Sequence, residues 1–332
     1  MSALFNPQTA WSDLLSRIRP VAPPAQAKQA DGGALSPEEL RERELSSRLT
    51  GPAATDELLD HIRSLKTASG GGTTLLLSGG GGAFTVQLAE YLRDVVVIHH
   101  EPIVVEAMKA RVLGSKASIA NHIANSDRDP RILRENVIRP GIDYRWAELP
   151  QTSFMAETFD KVIIEQGHEF GMVSAIAEAK RVLRKGGLIV LLGYLPLKVV
   201  SRENLVNEKA TSNTVNGALE HGFEHSLCPL VTSDERHLLN AYRCLDFPFD
   251  EIAMGNPNED YRSRMFMQAS WDLFTLVRFI ETWPVVRQLT VSGSIFRIDV
   301  WNLINTLKNT WGSPRTRRVL NWPIAIRAGV KT

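Results

Sequence analysis

The sequence TTLLLSGGGGAFTVQLAEYLRDVVVIHHEP, residues 73–102, decides the fold. It begins with an apolar run, continues through four consecutive glycines, Gly79 to Gly82, and an amphipathic segment, and ends in a second apolar run before His-His-Glu-Pro. This order is typical of a strand, a Gly-rich turn, a helix and a second strand, the arrangement with which a doubly wound α/β domain holds a nucleotide. Glycines adopt positive φ freely and let the main chain approach a ligand closely. The stretch therefore predicts a ligand site at the carboxyl ends of parallel strands.

The composition is typical of a globular protein with a full core. Of 332 residues, 43% are hydrophobic and 23% are charged, and the formal net charge is +1. We therefore expect a small-molecule substrate, and neither nucleic acid nor membrane among the partners. Two cysteines, Cys228 and Cys244, are too few for a disulfide framework, and no apolar run approaches the ~20 residues that span a bilayer. We predict a cytoplasmic location.

Residues 1–35 are predicted to be an N-terminal arm and linker. Apolar residues recur at helical spacing in positions 1–19, and positions 20–34 are rich in Pro, Ala, Gly and Gln. Two interpretations stay open: a disordered tail, or an arm that covers a site or docks onto a partner chain in a homo- or hetero-oligomer. A capping box at Ser36 predicts a helix from Pro37 to about Arg48. Residues 36–332 are predicted to form the main domain, in which residues 200–315 contribute a cap or substrate region.

From residue 73 onward, short β-rich runs alternate with longer helical ones, as repeated βα units require. The predicted strands are Thr73–Ser78, Val95–Ile98, Asp143–Trp146, Lys161–Glu165, Leu188–Leu192 and, in spite of Pro323, Arg318–Arg327. The predicted helices are Asp56–Lys66 after an N-cap at Thr55, Ala83–Leu92, Ile103–Val112, Val173–Leu183, Trp271–Trp283 and one with Asp299 as N-cap. Arg184-Lys185-Gly186-Gly187 is expected to end a helix, because cations and glycines favour helix ends. The predicted fold class is α/β: a doubly wound, mostly parallel sheet with helices on both faces and a C-terminal helical cap region.

Several segments in a fixed order carry a resemblance to a known family. They are TTLLLSGGGGAFTVQLAEYL (73–92), AELP (147–150), FDKVIIEQGHEF (159–170), AEAKRVLRKGGLIVLLGY (177–194), LDFPF (245–249), ETW (281–283) and NWPIAIRAG (321–329). From about Gly51 to Gly329 the chain resembles class I S-adenosylmethionine-dependent methyltransferases, particularly the small-molecule branch similar to trans-aconitate methyltransferases. The resemblance implies a methyltransferase-like fold, S-adenosylmethionine as cofactor and a small metabolite as substrate.

The resemblance also implies a cofactor site. In the family, glycines let the backbone meet the methionyl end, an acid near the first strand's end helps to hold the amino group, and an acid ending the second strand binds the ribose hydroxyls. Leu76 and His99 occupy the positions of these two acids, so the cofactor motif is degenerate and we expect weakened affinity. The implied cofactor-binding residues are Ser78, Gly79, Gly80, Gly82, His99, Glu101, Glu148 and Gln166.

Two interpretations of the missing acids stay open. Glu101 and His99 are candidates to replace the ribose acid, Glu148 is expected to face the adenine, and the turn still presents backbone N–H groups. Alternatively, Leu76 is a core residue and the site beside it has closed.

The candidate catalytic residues follow the predicted strand Lys161–Glu165. The family branch has Gln-Ala-x-His-Trp there. This chain keeps Gln166, Glu169 stands at the expected His position, and His168 lies one position before it. A His-Glu pair beyond the carboxyl end of a strand is suited to general base catalysis, so we predict His168 and Glu169 as catalytic residues. The alternative is that one or both are exposed loop residues.

No metal site is predicted. His221 and His225 have i, i+4 spacing with Glu224 between them, but Gly222 disfavours a helix and no third ligand follows in a recognisable pattern.

Three functions are compatible with these residues. The first is an enzyme that transfers a methyl group from S-adenosylmethionine to a small metabolite. The second is a methyltransferase fold that has lost or changed methyl transfer and catalyses a rearrangement or cyclisation. The third is a non-catalytic partner subunit of another methyltransferase. The resemblance favours the first.

Overall fold

The structure is a computed structural model that describes residues 51–65, 72–92, 95–113, 141–148, 151–200, 206–228, 231–252, 266–283, 285–287 and 297–332. The predicted arm, the helix predicted from Pro37 to Arg48 and the linker before it lie outside these residues. Contacts between Cα atoms divide the chain into two compact units.

The helices and strands alternate as the sequence predicted. In chain order the strands are β1 (Ala53–Ala54), β2 (Thr74–Ser78), β3 (Val95–His99), β4 (Ile142–Trp146), β5 (Phe159–Glu165), β6 (Leu183–Tyr194), β7 (Lys198–Val200), β8 (Asp250–Glu251), β9 (Phe266–Trp271) and β10 (Arg318–Val330). The α-helices are α1 (Asp56–Ser64), α2 (Ala83–Leu92), α3 (Pro102–Leu113), α4 (Met172–Val182), α5 (Val206–His221), α6 (Ser233–Leu239), α7 (Leu273–Glu281) and α8 (Arg297–Trp311). A 3₁₀ turn spans Gly167–Glu169, and a π-helical segment spans Gly222–Leu227.

The unit of residues 36–195, 233–268 and 322–332 contains the parallel sheet. Its strand order is β4-β3-β2-β5-β6-β10, with every pair parallel except β10, which runs antiparallel to β6. Every residue of β2 and β3 is buried, and their sequences are almost continuously apolar, as expected for strands covered on both faces. The register pairs Ser78, the last residue of β2, with His99 on one side and Glu165 on the other. Three polar residues therefore meet at the carboxyl edge of the sheet.

The observed element boundaries confirm most of the predicted ones. Helix α2 has the predicted bounds, and Thr55 caps α1 by accepting a hydrogen bond from the backbone N–H of Leu58. Strand β10 accommodates Pro323 because this residue lies between residues 319–321, which pair with β7, and residues 324–330, which pair with β6. The carbonyl of Pro323 accepts a hydrogen bond from the backbone N–H of Leu195. The α/β fold class of a class I methyltransferase is thus confirmed.

The predicted start of one helix is wrong, and the residues predicted to follow the end of another helix lie in a strand. Helix α4 ends at Val182, and the Arg184-Lys185-Gly186-Gly187 segment belongs to strand β6, because Leu183 already has an extended backbone. Asp299 is not an N-cap, because α8 begins before it, at Arg297.

The second unit contains helices α5, α7 and α8 and the pairing of β7 with residues 319–321 of β10. Helices α5 and α8 pack against each other and against the π-helical segment. Gly222 allows this approach, since a Cβ there would lie 2.5 Å from Cδ1 of Leu303. Among the described residues, no helix is long and apolar enough to cross a membrane.

Candidate functional site

The Gly-rich turn between β2 and α2 is closed around the carboxyl group of Glu165. Oε2 of Glu165 lies 2.5 Å from the hydroxyl of Ser78 and 3.1 Å from that of Thr85, and the Tyr194 hydroxyl lies 3.2 Å from Oε1. The backbone N–H of Gly80 also hydrogen-bonds this carboxyl group. Glu165 therefore brings an acid to the turn, although the strand that leads into the turn carries none.

Glycine is required at Gly80 because side chains of the same unit cover its α-carbon. A Cβ there would lie 2.5 Å from Oε1 of Glu165 and 2.7 Å from the Tyr194 hydroxyl. Gly79 is covered similarly, since its Cβ would lie 2.6 Å from the carbonyl oxygen of Gln166 and 2.7 Å from Cβ of Glu169. The close approach that the glycines permit is thus made, in this structure, by the protein's own atoms.

Burial controls the protonation of the two side chains that meet above Gly80. Desolvation raises the pKa of Glu165, and its hydrogen bonds offset this effect in part. The pKa of Tyr194 is raised well above its usual range by burial first and by the charge of Glu165 second. Glu165 is therefore a carboxyl group whose ionised form is disfavoured unless a positive charge comes close.

His99 closes the other side of the turn. Its Nδ1 accepts a hydrogen bond of 2.9 Å from the backbone N–H of Glu101, so Nε2 carries the proton and donates to the carbonyl of Gly80 at 2.8 Å. The side chain is fully buried, and desolvation lowers the pKa of His99 to about 4. The imidazole is neutral, and both nitrogens are engaged within the protein.

Leu76 is a core residue. It is fully buried in the middle of β2, between Val97 of β3 and Ile163 of β5. The interpretation of Leu76 as part of the core is confirmed, and the acid that the resemblance expects at this position has no equivalent in β2.

Two buried polar atoms that have no hydrogen-bond partner among the described residues converge beside Gly193. They are Oε1 of Gln166 and the hydroxyl of Tyr242. A Cβ on Gly193 would lie 2.3 Å from the Tyr242 hydroxyl and 3.4 Å from Oε1 of Gln166. Both residues also have positive φ, 52° for Gln166 and 61° for Tyr242, a conformation that costs about 1–3 kcal/mol and that clusters at ligand sites. The backbone thus holds two unsatisfied polar groups at the carboxyl edge of β6.

The structure brings His168 and Glu169 together. Both lie in the 3₁₀ turn that follows Gln166, and His168 Nε2 is 3.9 Å from Oε1 of Glu169. Their side chains are only 7% and 13% exposed, so the interpretation of both as solvent-exposed loop residues is wrong. Their catalytic role stays a prediction.

The remaining predicted cofactor-binding residues lie along the rim of the same edge. Gly82 has a φ of 84° and its carbonyl accepts the hydrogen bond from Val86 that opens α2. Glu101 lies 3.6 Å from the ring of His100, and Glu148 is exposed after β4. The structure therefore places Ser78, Gly79, Gly80, Gly82, His99 and Gln166 around the turn, and Glu101 and Glu148 outside it.

No group of three or more His, Cys, Asp or Glu side chains suited to a metal occurs in the part of the chain that the structure describes. His221 is the last residue of α5, and the π-helical segment follows it.

Sequence reasoning did not assign three of the side chains at this site: Thr85, Tyr194 and Tyr242. For Tyr194 the available signal was indirect. Glu165 ends one predicted strand and Tyr194 follows another, and such positions gather at one edge of a parallel sheet. Tyr242 lies in a turn far along the chain, and no periodicity marks it.

The strand order and the antiparallel last strand agree with the methyltransferase-like fold that the sequence resemblance implies. Residues 75–191 match the family model described as "Methyltransferase domain". The match covers about a third of the chain, and this segment is similar to methyltransferase domains. The narrower resemblance to trans-aconitate methyltransferases stays a prediction.

Solved structures with a similar arrangement cover most of the chain at low identity. A protein of Anaeromyxobacter dehalogenans described as a type II methyltransferase is 19% identical, with a TM-score of 0.47 over 90% of this chain and 98% of that one. A methyltransferase of Thiobacillus denitrificans with bound S-adenosyl-L-homocysteine is 14% identical, with a TM-score of 0.37 over 89% and 99%. A (4+2)-cyclase, SpnF, is 15% identical, with a TM-score of 0.36 over 92% and 86%. These similarities do not identify the activity. No curated protein matches the sequence.

The turn carries an acid, as the amino acid end of S-adenosylmethionine requires, but protein atoms cover the α-carbons of Gly79 and Gly80. Glu165 is an acid beside Gly80, and its hydrogen-bond partners among the described residues are uncharged. Gln166 and Tyr242 each offer a buried polar atom that has no partner among these residues. At the ribose end, His99 occupies the position of the family's acid. Both of its ring nitrogens are engaged within the protein, and the nearest carboxylate in sequence is Glu101.

Proposed function

We propose that this protein is an S-adenosylmethionine-dependent methyltransferase that acts on a small metabolite. The observation that carries the proposal is the pair of buried, unpartnered polar atoms, Gln166 Oε1 and the Tyr242 hydroxyl, at the carboxyl edge of a methyltransferase domain. A buried polar group without a partner costs about 1–3 kcal/mol, so a protein that keeps two of them side by side gains from a ligand that pairs with them.

The cofactor, when bound, supplies the electrophilic methyl group. Glu101 and Glu148, which follow β3 and β4 at the carboxyl edge of the sheet, would hold its nucleoside end. Oε1 of Gln166 accepts, and the Tyr242 hydroxyl donates or accepts, a hydrogen bond from a polar group of the substrate. The preferred substrate is therefore a small molecule with a hydroxyl, amine or amide group near the methyl-accepting atom.

His168 removes the proton from the methyl-accepting atom. Imidazole side chains commonly serve as general bases, and Oε1 of Glu169 lies 3.9 Å from Nε2 of His168, close enough to orient the ring. General base catalysis of this kind contributes about 10²- to 10⁴-fold.

The first test is calorimetric titration of S-adenosylmethionine, followed by transfer of labelled methyl to a panel of small hydroxy and amino compounds. We expect binding in the micromolar to millimolar range, and loss of transfer in His168→Ala with binding of the cofactor retained. Absence of heat and of any shift in melting temperature at millimolar cofactor would exclude this function for the isolated chain.

A second candidate is a methyltransferase fold that has lost or changed methyl transfer. The close packing of Glu165 and Tyr194 on the α-carbon of Gly80 favours it, since these atoms cover the side of the turn that the family offers to the methionyl group. Truncation distinguishes the two candidates. Glu165→Ala gains affinity for S-adenosylmethionine if the side chain blocks the site, and loses affinity if it holds the cofactor.

A further inference from the structure

The turn that carries Tyr242 has a strained backbone. Ala241 and Tyr242 are consecutive residues with side chains, and their φ angles are 51° and 61°. A left-handed backbone at such residues persists only where the surrounding structure holds it. The turn also leaves the Tyr242 hydroxyl buried, and this hydroxyl has no hydrogen-bond partner among the described residues. Both features are unfavourable by themselves, so another group must hold the turn in place.

Arg327 of strand β10 contacts this turn through several bonds at once. Its Nη1 donates to the carbonyl oxygens of Tyr242, at 2.7 Å, and of Leu245, at 2.9 Å. Its Nε and Nη2 donate to the two carboxylate oxygens of Glu251, at 3.1 and 3.0 Å. The guanidinium group also lies over the ring of Phe247, 4.5 Å from the ring centre. The side chain of Arg327 is only 15% exposed, so these contacts fix it in one arrangement.

The sheet places the two ends of Tyr242 at Arg327 and at Gly193. Arg327 pairs with Leu191 of β6, and Ala325, two residues earlier on β10, pairs with Gly193. Residues that pair directly in an antiparallel ladder share a face of the sheet, as do residues two apart on one strand. Tyr242 lies on this shared face. Its carbonyl is at the guanidinium group, and its hydroxyl is 2.3 Å from the position that a Cβ on Gly193 would take.

We infer that Arg327 is a positioning residue of the candidate site: by holding the carbonyls of Tyr242 and Leu245, it keeps the Tyr242 hydroxyl buried beside Gly193 and available to a ligand. Arginine suits this role because its planar guanidinium group offers five donors in fixed directions, whereas lysine offers three donors on one atom. The use of the hydroxyl by a substrate rests on the proposed function. The positioning itself can be measured in the ligand-free protein.

The test is a double-mutant cycle on the full chain without ligand. Urea unfolding compares the wild type, Tyr242→Phe, Arg327→Lys and the double variant. Phenylalanine removes the unpaired hydroxyl, so Tyr242→Phe should raise the folding equilibrium constant of the wild type by about 5- to 150-fold. In the Arg327→Lys background the same substitution should change this constant by less than about two-fold, because the released turn lets the hydroxyl reach water.

Arg181→Lys is the matched control. The Nε and Nη2 atoms of Arg181 hold a buried carboxylate, that of Glu178, and Nη2 also contacts the backbone carbonyl of Thr152. The control therefore loses the same kinds of contact as Arg327→Lys, but none of these contacts involves the turn of Tyr242. In the Arg181→Lys background, Tyr242→Phe should keep its full gain.

A spectroscopic measurement follows the phenol itself. Burial, and then the charge of Glu165, raises the pKa of Tyr242, so this phenol should stay protonated in the wild type at about pH 10, where an exposed tyrosine ionises. In Arg327→Lys, ultraviolet absorbance should show one more phenolate than in the wild type, and the double variant should lack it. A loss of stability without movement of the turn would leave the number of phenolates unchanged.

Equal gains from Tyr242→Phe in the wild type and in Arg327→Lys would overturn the inference, because Arg327 would then only stabilise the fold. Absence of a gain in the wild type would overturn it too, since the hydroxyl would already be paired. If Arg327→Lys does not fold, Glu251→Gln replaces it. Glu251 is 55% exposed and holds the other side of the guanidinium group, so its loss should reduce the gain, and an undiminished gain counts against the inference. Failure of S-adenosylmethionine to bind removes the proposed function and leaves the positioning of Tyr242 standing.

Discussion

The hydroxyl of Ser78 lies 2.5 Å from Oε2 of Glu165, although 87 residues separate the two in sequence. The contact exists because β2 and β5 are parallel neighbours whose carboxyl ends coincide. It brings a carboxyl group to the Gly-rich turn, although β2, the strand before this turn, contains no acid. The stability of this arrangement can be tested separately from ligand binding.

Glu165 makes the fold less stable as the pH rises. Its pKa in the folded state is raised above the ordinary 4.5, so the folded state keeps a proton that the unfolded state loses, and the free energy of unfolding falls as the pH increases from 4.5 through the folded pKa. Glu165→Gln should lack this decline. Urea unfolding of both proteins at several pH values measures the difference, and parallel curves would contradict the burial of an uncompensated carboxyl group.

His99 makes the fold less stable as the pH falls. Its pKa is about 4 in the folded state against 6.5 as the ordinary value, so the unfolded state binds more protons and stability is lost as the pH falls from 6.5 towards 4. The loss should be on the order of 3 kcal/mol, since one pKa unit corresponds to about 1.4 kcal/mol. His99→Gln should lose little stability over this window. A variant as acid-sensitive as the wild type would show that another group is responsible.

Restoring the family's acid at Leu76 should damage the fold. Leu76→Asp buries a carboxyl group between two apolar neighbours, Val97 and Ile163, and should lower the free energy of unfolding by about 3 kcal/mol or more. Leu76→Met, which conserves volume, should cost less than about 1.5 kcal/mol. Chemical unfolding of the two variants tests this, and a stable Leu76→Asp protein would show that the site beside β2 is open.

Gly80 should not tolerate a methyl group. The Cβ of Gly80→Ala would lie 2.5 Å from Oε1 of Glu165, and we expect a cost of about 1–3 kcal/mol from the displacement of this side chain. Gly217→Ala is the control, because Gly217 lies in helix α5 and a Cβ there meets nothing within 4 Å. Alanine should stabilise that helix by up to about 1 kcal/mol. Equal melting temperatures for the two variants would contradict the close packing at the turn.

Tyr242 should contribute to ligand binding at the expense of stability. Its hydroxyl is buried and has no hydrogen-bond partner in the part of the chain that the structure describes. Tyr242→Phe should therefore stabilise the ligand-free protein by about 1–3 kcal/mol and weaken the binding of a substrate that pairs with the hydroxyl. Thermal unfolding measures the first effect, and titration of a substrate found in the methyl-transfer panel measures the second. Destabilisation by Tyr242→Phe would show that the hydroxyl has a partner in solution.

The amino-acid sequence determined the secondary structure of the domain and the location of its site. Continuous apolar runs, four glycines and the N-cap at Thr55 act over a few residues, so they predicted strands β2 and β3, helix α2 and the start of α1. The sequence was misleading at Arg184 and Asp299, where residues typical of helix ends lie in a strand and inside a helix. Local propensity is weak there compared with the pairing of neighbouring elements.

Only the tertiary structure decided which side chains meet at the Gly-rich turn. The sequence identified Leu76 and His99 as departures from the family, and it left open whether their site was core or a remodelled pocket. Strand order and register place Glu165 opposite Ser78, direct His99 towards Gly80 and bring Tyr242 beside Gly193. Contacts between residues far apart in the chain depend on the packing of whole strands, and this packing follows from the burial of the entire sheet rather than from any short pattern.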